Sequence, residues 1–540
     1  MSSKIISFER AAALVPDGAV LAVSSSSGLN TPDAILAALG ARFRAEGRPR
    51  GLTVLMPISA GDMYGIKGID HLAQPGMLAR VIGGSYPSGP SSFDPPRIRE
   101  MIGNDEVAAW NLPSGVLFDM LRDVAAKRAG VLTKVGLGTF VDPRLDGGRM
   151  NASARPDIVR VVEFGGEEWL HVPNIAPDVG ILRGTTADED GNVSMEHEGA
   201  YLGAVDVALA VRNSGGVVIA QVKRTTARGS IPPHRVIVPS TLIDFVVVDP
   251  QQKQATEIAY DPSLSGEARR PESSFEPVPF GPDKVIARRA AMELHAGDVV
   301  SLGFGISPLV PYILIEEGQS AAVTWSIEQG PIGGIPANGF PFGCAYNAQA
   351  ILSSPQQFTY FQGGGFDTAL LSFLEIGRDG SVNVSRLALR PHVTAGCGGF
   401  VDITARARKM VFSGYFRAGG IELDARDGAM RIVRDGRHGK LVPAVEQVTF
   451  NGARALAEGR QALYVTERCV LELRPAGLTV IELAPGVDLH RDVLAQAGFA
   501  LQVADDLRPM DPRLFRPEPM CLVLPENPRR AALASAVADR

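Results

Sequence analysis

Cysteine is scarce in this chain of 540 residues: there are four, Cys344, Cys397, Cys469 and Cys521, with no CxxC pair and no histidine at metal-ligand spacing. That argues against a disulfide framework and against a zinc site. The eight histidines include no HExxH, so a metal hydrolase has no support. Positive charge is also lacking: 53 Lys and Arg stand against 59 Asp and Glu, a net charge of -6, which leaves no global field for a polyanion such as nucleic acid. Long hydrophobic runs are missing too. Met1 to Arg10 has no apolar core and Ala19–Val23 is too short for a signal peptide, so the reading is a cytoplasmic protein. The charge-free stretch 329–366 is broken by Gly330, Pro331, Gly333, Gly334, Pro336, Gly339, Pro341, Gly343 and Pro355, and cannot hold a spanning helix.

What the chain does have is glycine, 59 residues, with 39 prolines, in an otherwise ordinary globular composition of 45% hydrophobic and 21% charged residues. Its length points to two to four domains. Short β-branched runs alternate with helix-like segments: Ala19–Val23 then Asp33–Phe43, Gly51–Met56, Gly130–Val135, Val217–Val222 and Phe245–Val248. This is the pattern of βα units on a parallel sheet. A proline-rich polar stretch, 261–283, reads as a linker between a first domain, 1–260, and a second, 284–540. The second opens on a helix over Lys284–Leu294, with Asp283 as N-cap and Gly297 as stop.

The two halves echo each other. Asp17-Gly18-Ala19-Val20-Leu21, a small-residue loop and Pro32 parallel Gly297-Asp298-Val299-Val300, Gly303-Phe304-Gly305-Ile306-Ser307 and Pro308. The Asp190-Gly191 and Asp379-Gly380 turns form a second pair of hairpin signals. The offsets of the two pairs differ by about 90 residues, so a duplication requires an insertion in the first half, and two unrelated α/β domains sharing such turns fit the pattern as well.

The segment Thr324-Trp325-Ser326-Ile327-Glu328-Gln329-Gly330 carries the sharpest chemical signal, one carboxylate at the end of an apolar run and at the mouth of the uncharged tract. On pattern alone Glu328 fits a solvated loop carboxylate. The functional reading set against this is the nucleophile of an acyl transfer: a carboxylate stripped of part of its water in a cleft walled by glycines, where backbone N–H groups can approach a developing oxyanion. Gly303-Phe304-Gly305, Gly363-Gly364-Gly365 and Gly396-Cys397-Gly398-Gly399 are the loops available to supply such donors. Gly303-Phe304-Gly305 lacks the third glycine of a dinucleotide fingerprint. Cys397 reads as a small buried thiol, Ser24–Ser27 as a polar turn that could bind an anion, and Arg437, His438 and Lys440 as a solvated hairpin tip that could meet a phosphate.

The stretch SIEQGPIGGIPANGFPFGCAYNAQA around Glu328 resembles the catalytic Glu-x-Gly-x-x-Gly motif of family I coenzyme A transferases, most closely their single-chain propionate or acetate group. Further similar stretches are TKVGLGTFVDPR (133–144), NSGGVVIAQVKR (213–224), YDPSLSGEARRP (260–271), FQGGGFD (361–367), VNVSR (382–386), AGCGGFVDIT (395–404), VEQVTFNG (445–452) and TERCVLEL (466–473). The resemblance implies two tandem, related open α/β domains of the NagB/RpiA-like type with the active site between them. It implies a ping-pong transfer of CoA from a short-chain acyl-CoA to a free carboxylate of the acetate, propionate or 3-oxoacid class, through a glutamyl-CoA thioester on Glu328. Backbone N–H groups at Gly303, Gly305, Ser307, Gly398 and Gly399 would bind CoA or the oxyanion. No cofactor stays bound, no metal is needed, CoA is substrate and transient adduct, and a homotetramer is expected without nucleic-acid or membrane partners. An acyl-CoA hydrolase using the same carboxylate is the alternative. Where relatives carry a glycine-rich turn before Ile-Pro, this chain has Ser24-Ser25-Ser26-Ser27-Gly28-Leu29-Asn30-Thr31-Pro32, which predicts an acyl pocket of different shape and polarity.

Overall fold

Short apolar runs separated by glycine turns and helices build two large sheets, one from each half of the chain. The computed structural model describes residues 4–62, 64–88, 94–388, 390 and 394–530. The first half contributes β1 (Val20–Val23), β2 (Leu52–Met56), β3 (Leu78–Gly83), β4 (Ala108–Asn111), β5 (Val131–Thr133), β6 (Arg160–Phe164), β7 (Glu167–Val172), β8 (Val179–Asp188), β9 (Val193–Ser194), β10 (Val217–Thr226), β11 (Val236–Val238) and β12 (Phe245–Val248). Its parallel core runs β4-β3-β2-β1-β8-β10-β12. The second half contributes β13 (Val299–Leu302), β14 (Thr324–Ser326), β15 (Pro331–Ile332), β16 (Ile335–Pro336), β17 (Ala345–Tyr346), β18 (Ala350–Ile351), β19 (Thr368–Ser372), β20 (Glu375–Gly377), β21 (Val382–Asn383) and β22 (Lys409–Ser413). There the parallel run is β14-β13-β19-β22, continued by Gln461–Val465.

Laid side by side, β2-β1-β8-β10-β12 and β14-β13-β19-β22-Gln461–Val465 share one strand order and one direction, so the halves are related α/β units. Both Asp-Gly turns close antiparallel hairpins, β8–β9 and β20–β21. The extra length of the first half lies between β2 and β8, where it inserts β3 to β7. Here one expectation needs correcting. The 130–135 run does not join the parallel sheet: β5 pairs antiparallel with β7 in a separate three-stranded sheet, β5-β7-β6. Only the Val131 end of that strand is buried while Leu132 is exposed, which suits a thin accessory sheet and not a strand covered on both faces.

The helices are α1 (Phe8–Ala13), α2 (Asp33–Glu46), α3 (Arg97–Gly103), α4 (Ser114–Ala125), α5 (Ala204–Asn213), α6 (Pro262–Ser265), α7 (Pro282–Ala291), α8 (Val310–Glu316), α9 (Ser354–Gln362), α10 (Phe400–Thr404) and α11 (Gly452–Ala457). α7 begins two residues earlier than the sequence predicts. Gly281 is its N-cap, Pro282 takes the first helical position, and Asp283 sits inside the first turn, where its charge faces the positive end of the helix without capping it. Residues 261–283 form an ordered strap. α6 is capped by Asp261, Leu264 and Val278 are buried, and the Arg270 guanidinium lies over Phe275 and Tyr346 at 4.3 and 4.9 Å from the ring centres.

One apolar core spans both halves, because α4 packs on α5 within the first and on α9 and α10 of the second. Phe118 of α4 meets Phe358 of α9 with ring centres 5.9 Å apart. Buried phenylalanines of this kind stabilise the junction by about 2 to 3 kcal/mol each, which holds the two sheets in a fixed relation around the crevice between them.

Candidate active site

β13 and β14 are parallel, so Gly303 and Glu328 leave the same carboxyl edge of the sheet. Glu328 stands at the tip of a tight return from β14 into antiparallel β15. The return is closed by the Gly330 N–H donating to Ile327 O at 2.9 Å. Gly330 has φ +126°, and a Cβ there would strike the Leu352 carbonyl, so this turn accepts only glycine. The Glu-x-Gly spacing therefore has a steric cause: the glycine reverses the chain and leaves the glutamate projecting.

Glu328 projects against the loop that precedes α10. Gly399 donates its N–H to the carboxylate. Its Cα lies so close that an added Cβ would overlap Oε2, while a Cβ on Gly398 would come no nearer than 3.9 Å to Oε1. The first half fastens this loop in place. Gly398 N–H donates to Gly84 O at 2.7 Å, Ser114 N–H to Gly398 O at 3.0 Å, and Asn111 accepts from Cys397 N–H at 2.8 Å while donating to Gly83 O and Gly84 O at 3.0 and 2.6 Å. On the other side the Gln329 amide donates both to Glu328 Oε1 and to Ser26 Oγ, each at 3.2 Å. The serine loop of the first half is thus one hydrogen bond removed from the carboxylate. Ser24, Ser25 and Ser26 are buried, so the loop is a packed support more than a polar surface turn.

Although part of Glu328 faces the crevice, the protein around its carboxyl group pushes the pKa up to about 7, against the opposing bonds from Gly399 and Gln329. Asp402 in α10, fully buried, is pushed up to about 8, chiefly by burial, with Asp119 and Glu328 adding to the rise. Its oxygens accept from Gly115 N–H and the Gln362 amide, both at 3.0 Å, which ties α10 to α4 and α9. A protonated Asp402 lets Glu328 ionise nearby without a second buried negative charge.

The sequence-derived candidates divide clearly. Glu328, Gly398 and Gly399 come together. Gly303, Gly305 and Ser307 share the same edge of the sheet. The Gly303 N–H is spent on Leu370 O and that of Gly398 on Gly84 O, whereas the Gly305 N–H makes no hydrogen bond among the described residues. Gly305 has φ +108°, and a Cβ there would collide with Ser372 Oγ. Ser307 is fully buried, so its hydroxyl does not line the crevice. Phe304, 71% exposed, stacks edge-on against Phe342 at 5.4 Å, and Tyr64 does the same against Phe340 at 5.2 Å. Gly363-Gly364-Gly365 lies elsewhere, at the amino end of β19, and is not part of this crevice. Cys397 is buried and its thiol pushed well up by burial, an inert packing group. Arg437 and His438 are exposed, but Lys440 turns inward: its ammonium donates to Phe373 O at 2.8 Å and lies 4.2 Å from the Phe373 ring centre. Burial lowers its pKa to about 8. Lys440 is therefore no solvated hairpin tip.

Asn111 and Gly84 carry no signal in the sequence, and Ser26 and Asp402 stand there only as members of the serine turn and of the 395–404 stretch, since each acts through contacts with the opposite half. Ser26→Ala removes one of the two anchors of the Gln329 amide. The expected result is a fall of up to about tenfold in kcat/KM for CoA transfer, the worth of one hydrogen bond, with recovery in Ser26→Thr. A variant indistinguishable from wild type would show that the amide is held without it.

A family model described as coenzyme A transferase matches residues 5–249. The caffeate CoA-transferase of Acetobacterium woodii is 40% identical over 95% of this chain and 97% of that protein. The acetate CoA-transferase YdiF of Escherichia coli K12 is 36% identical over 97% of each. Crystal structures of the YdiF acyl-CoA transferase from E. coli O157:H7, as apoenzyme and as a thioester complex with CoA, superpose with TM-scores of 0.90 and 0.89 at 36% identity, covering 97% of this chain and 98% of those. Identity at this level along nearly the whole of both chains, on one common fold, settles the matter: the protein belongs to the coenzyme A transferase family and is a CoA-transferase.

Proposed function

We propose that the protein moves CoA from an acyl-CoA to a free carboxylate by a ping-pong route through Glu328. The observation that carries this reading is a part-buried carboxylate projecting between two domains against the N–H of Gly399. A Glu328 oxygen attacks the thioester carbonyl; the C–S bond breaks, leaving a mixed anhydride and CoA thiolate. The thiolate then attacks the glutamyl carbonyl, releasing the first acid and leaving a glutamyl-CoA thioester. The acceptor carboxylate reverses both steps, so thioester is exchanged for thioester without ATP or metal. The thioester complex with CoA of the E. coli O157:H7 relative supports this route.

The acyl groups are short-chain, of the acetate, propionate or 3-oxoacid class. The relatives named for caffeate and for acetate mark how far acyl choice varies on this scaffold. The serine loop, through Ser26 and Gln329, is the first-half element that shapes the acyl pocket. The domains are 1–260 and 284–540 with 261–283 as the strap between them, and the working form is a cytoplasmic homotetramer. Sedimentation equilibrium tests the assembly state. Mixing the protein with acetyl-CoA and propionate tests the reaction: propionyl-CoA should form, and free CoA should not accumulate without an acceptor. CoA release independent of any carboxylate would identify a hydrolase instead.

The raised pKa of Glu328 sets a pH dependence. Only the ionised form attacks, so kcat/KM for acyl-CoA should fall about tenfold per pH unit below about 6 and level off above about 8. An exposed glutamate, near its ordinary 4.5, would keep the rate flat to about pH 5. A flat profile from pH 5 to 8 would refute the assignment of Glu328 as a nucleophile with a raised pKa.

A further inference from the structure

A second cavity, of about 310 Å³, lies between the two halves, at the edge of the second-half sheet opposite to Glu328. Arg406 comes just before β22 and Arg460 just before the strand Gln461–Val465, so both mark the amino ends of strands whose carboxyl ends face the acyl-transfer crevice. Lys134 and Trp169 from the accessory sheet form the opposite wall.

The wall is rich in cations. Arg454 and Arg460 share the single carboxylate of Glu458, at 2.8 and 3.0 Å. Arg406 is exposed and makes no hydrogen bond or ion pair among the described residues. Lys134 pairs with Glu167 at 2.8 Å, on the solvent side, while its ammonium stands 4.8 Å from the Trp169 ring centre. Burial lowers the Arg460 pKa against the pull of Glu458, and the neighbouring Arg454 and Arg406 add repulsion. Three guanidiniums and an ammonium against the carboxylates of Glu458 and Glu167 still leave a surplus of positive charge in a recess the size of a small ligand.

We propose that this cavity binds a compact polyanion, a phosphate-bearing or polycarboxylate metabolite, as a second site distinct from the acyl-CoA crevice. The volume is at the low end for ligand pockets, which suits a pyrophosphate or tricarboxylate and is too small for a whole acyl-CoA. Thr404 of α10 lines the cavity and accepts from Arg460 at its carbonyl, and the residue just before α10 is Gly399, which touches Glu328. An occupant therefore bears on the short helix that begins beside the nucleophile, and any effect it has on CoA affinity must be matched by an equal effect of CoA on anion affinity.

Tryptophan emission reads the site directly, since Trp110 and Trp325 are buried and Trp169 lines the wall. The full-length protein is titrated with pyrophosphate and with citrate at constant ionic strength, by fluorescence and by calorimetry. A saturable emission change is expected, lost in Trp169→Phe while calorimetric binding persists, and weakened about tenfold or more in Arg406→Ala/Arg454→Ala with an unchanged circular dichroism spectrum. Tighter pyrophosphate binding would identify the ligand as phosphate-bearing, tighter citrate binding as a polycarboxylate. No saturable binding of either anion, an effect reproduced by sodium chloride, or binding insensitive to the two arginines would overturn the proposal.

Discussion

Glu328→Gln is expected to lower CoA transfer by at least about 10⁴-fold, because loss of a covalent nucleophile removes the whole route and not one contribution to it. Intact mass after mixing with acetyl-CoA should show a CoA-sized adduct on wild type, mapping to the peptide that holds Glu328, and none on Glu328→Gln or Glu328→Ala. The adduct on another residue, or a variant retaining a tenth of the activity, would refute the nucleophile assignment. The same variant has a stability signature. The folded-state pKa, about 7, lies above the ordinary 4.5, so the folded state prefers the neutral carboxyl. That preference is fully met below about pH 4.5 and is lost as pH rises through about 7, where the native state must hold a charge it disfavours. Glutamine carries no such charge. The Tm advantage of Glu328→Gln over wild type should therefore be larger at pH 8 than at pH 5. An equal difference at both would mean that the carboxyl is not desolvated in the resting enzyme.

Much of this site is legible from local sequence, and the reason is steric. The Glu-x-Gly turn is written into neighbouring residues because Gly330 alone can reverse β14 into β15 at φ +126°. The βα alternation likewise yields β1, β2, β10, β12 and α2 close to their observed bounds, since buried parallel strands must be apolar whatever they pack on. The 130–135 run shows where this logic fails: a β-branched run does not say whether its partner will be the main sheet or the antiparallel β7. Gly363-Gly364-Gly365 fails in another way, because a glycine cluster does not say which end of a strand it adjoins. Ser26 and Gln329 are 303 positions apart, and Cys397 lies 286 positions from Asn111. No periodicity or spacing records contacts that exist only once two domains have docked.

Gly399→Ala and Gly398→Ala should differ in a way that tests how closely the loop before α10 fits the carboxylate. Gly399 has φ -88°, a conformation alanine adopts freely, so the backbone tolerates the change. The new Cβ, however, would overlap Glu328 Oε2 and press on Phe358. Glu328 must swing away from its N–H donor, and a displacement of about 1 Å at a reacting group costs on the order of 10²-fold in kcat; loss of the donor itself is worth a similar 10² to 10³. Gly398 presents the reverse case. Its φ of +52° strains an alanine by about 1 to 2 kcal/mol, but the Cβ meets nothing closer than 3.9 Å. Gly398→Ala is therefore expected to lose thermal stability and keep kcat within about tenfold, whereas Gly399→Ala, which also crowds Phe358, loses some thermal stability and in addition about 10² to 10³ in kcat. The adduct assay separates the steps, since Gly399→Ala should form the CoA adduct slowly but on the same residue. If the two alanines had equal effects on kcat, contact between Gly399 and the carboxylate would not be what orients it, and the latch of Asn111 and Gly84 on the loop would have to carry that role alone.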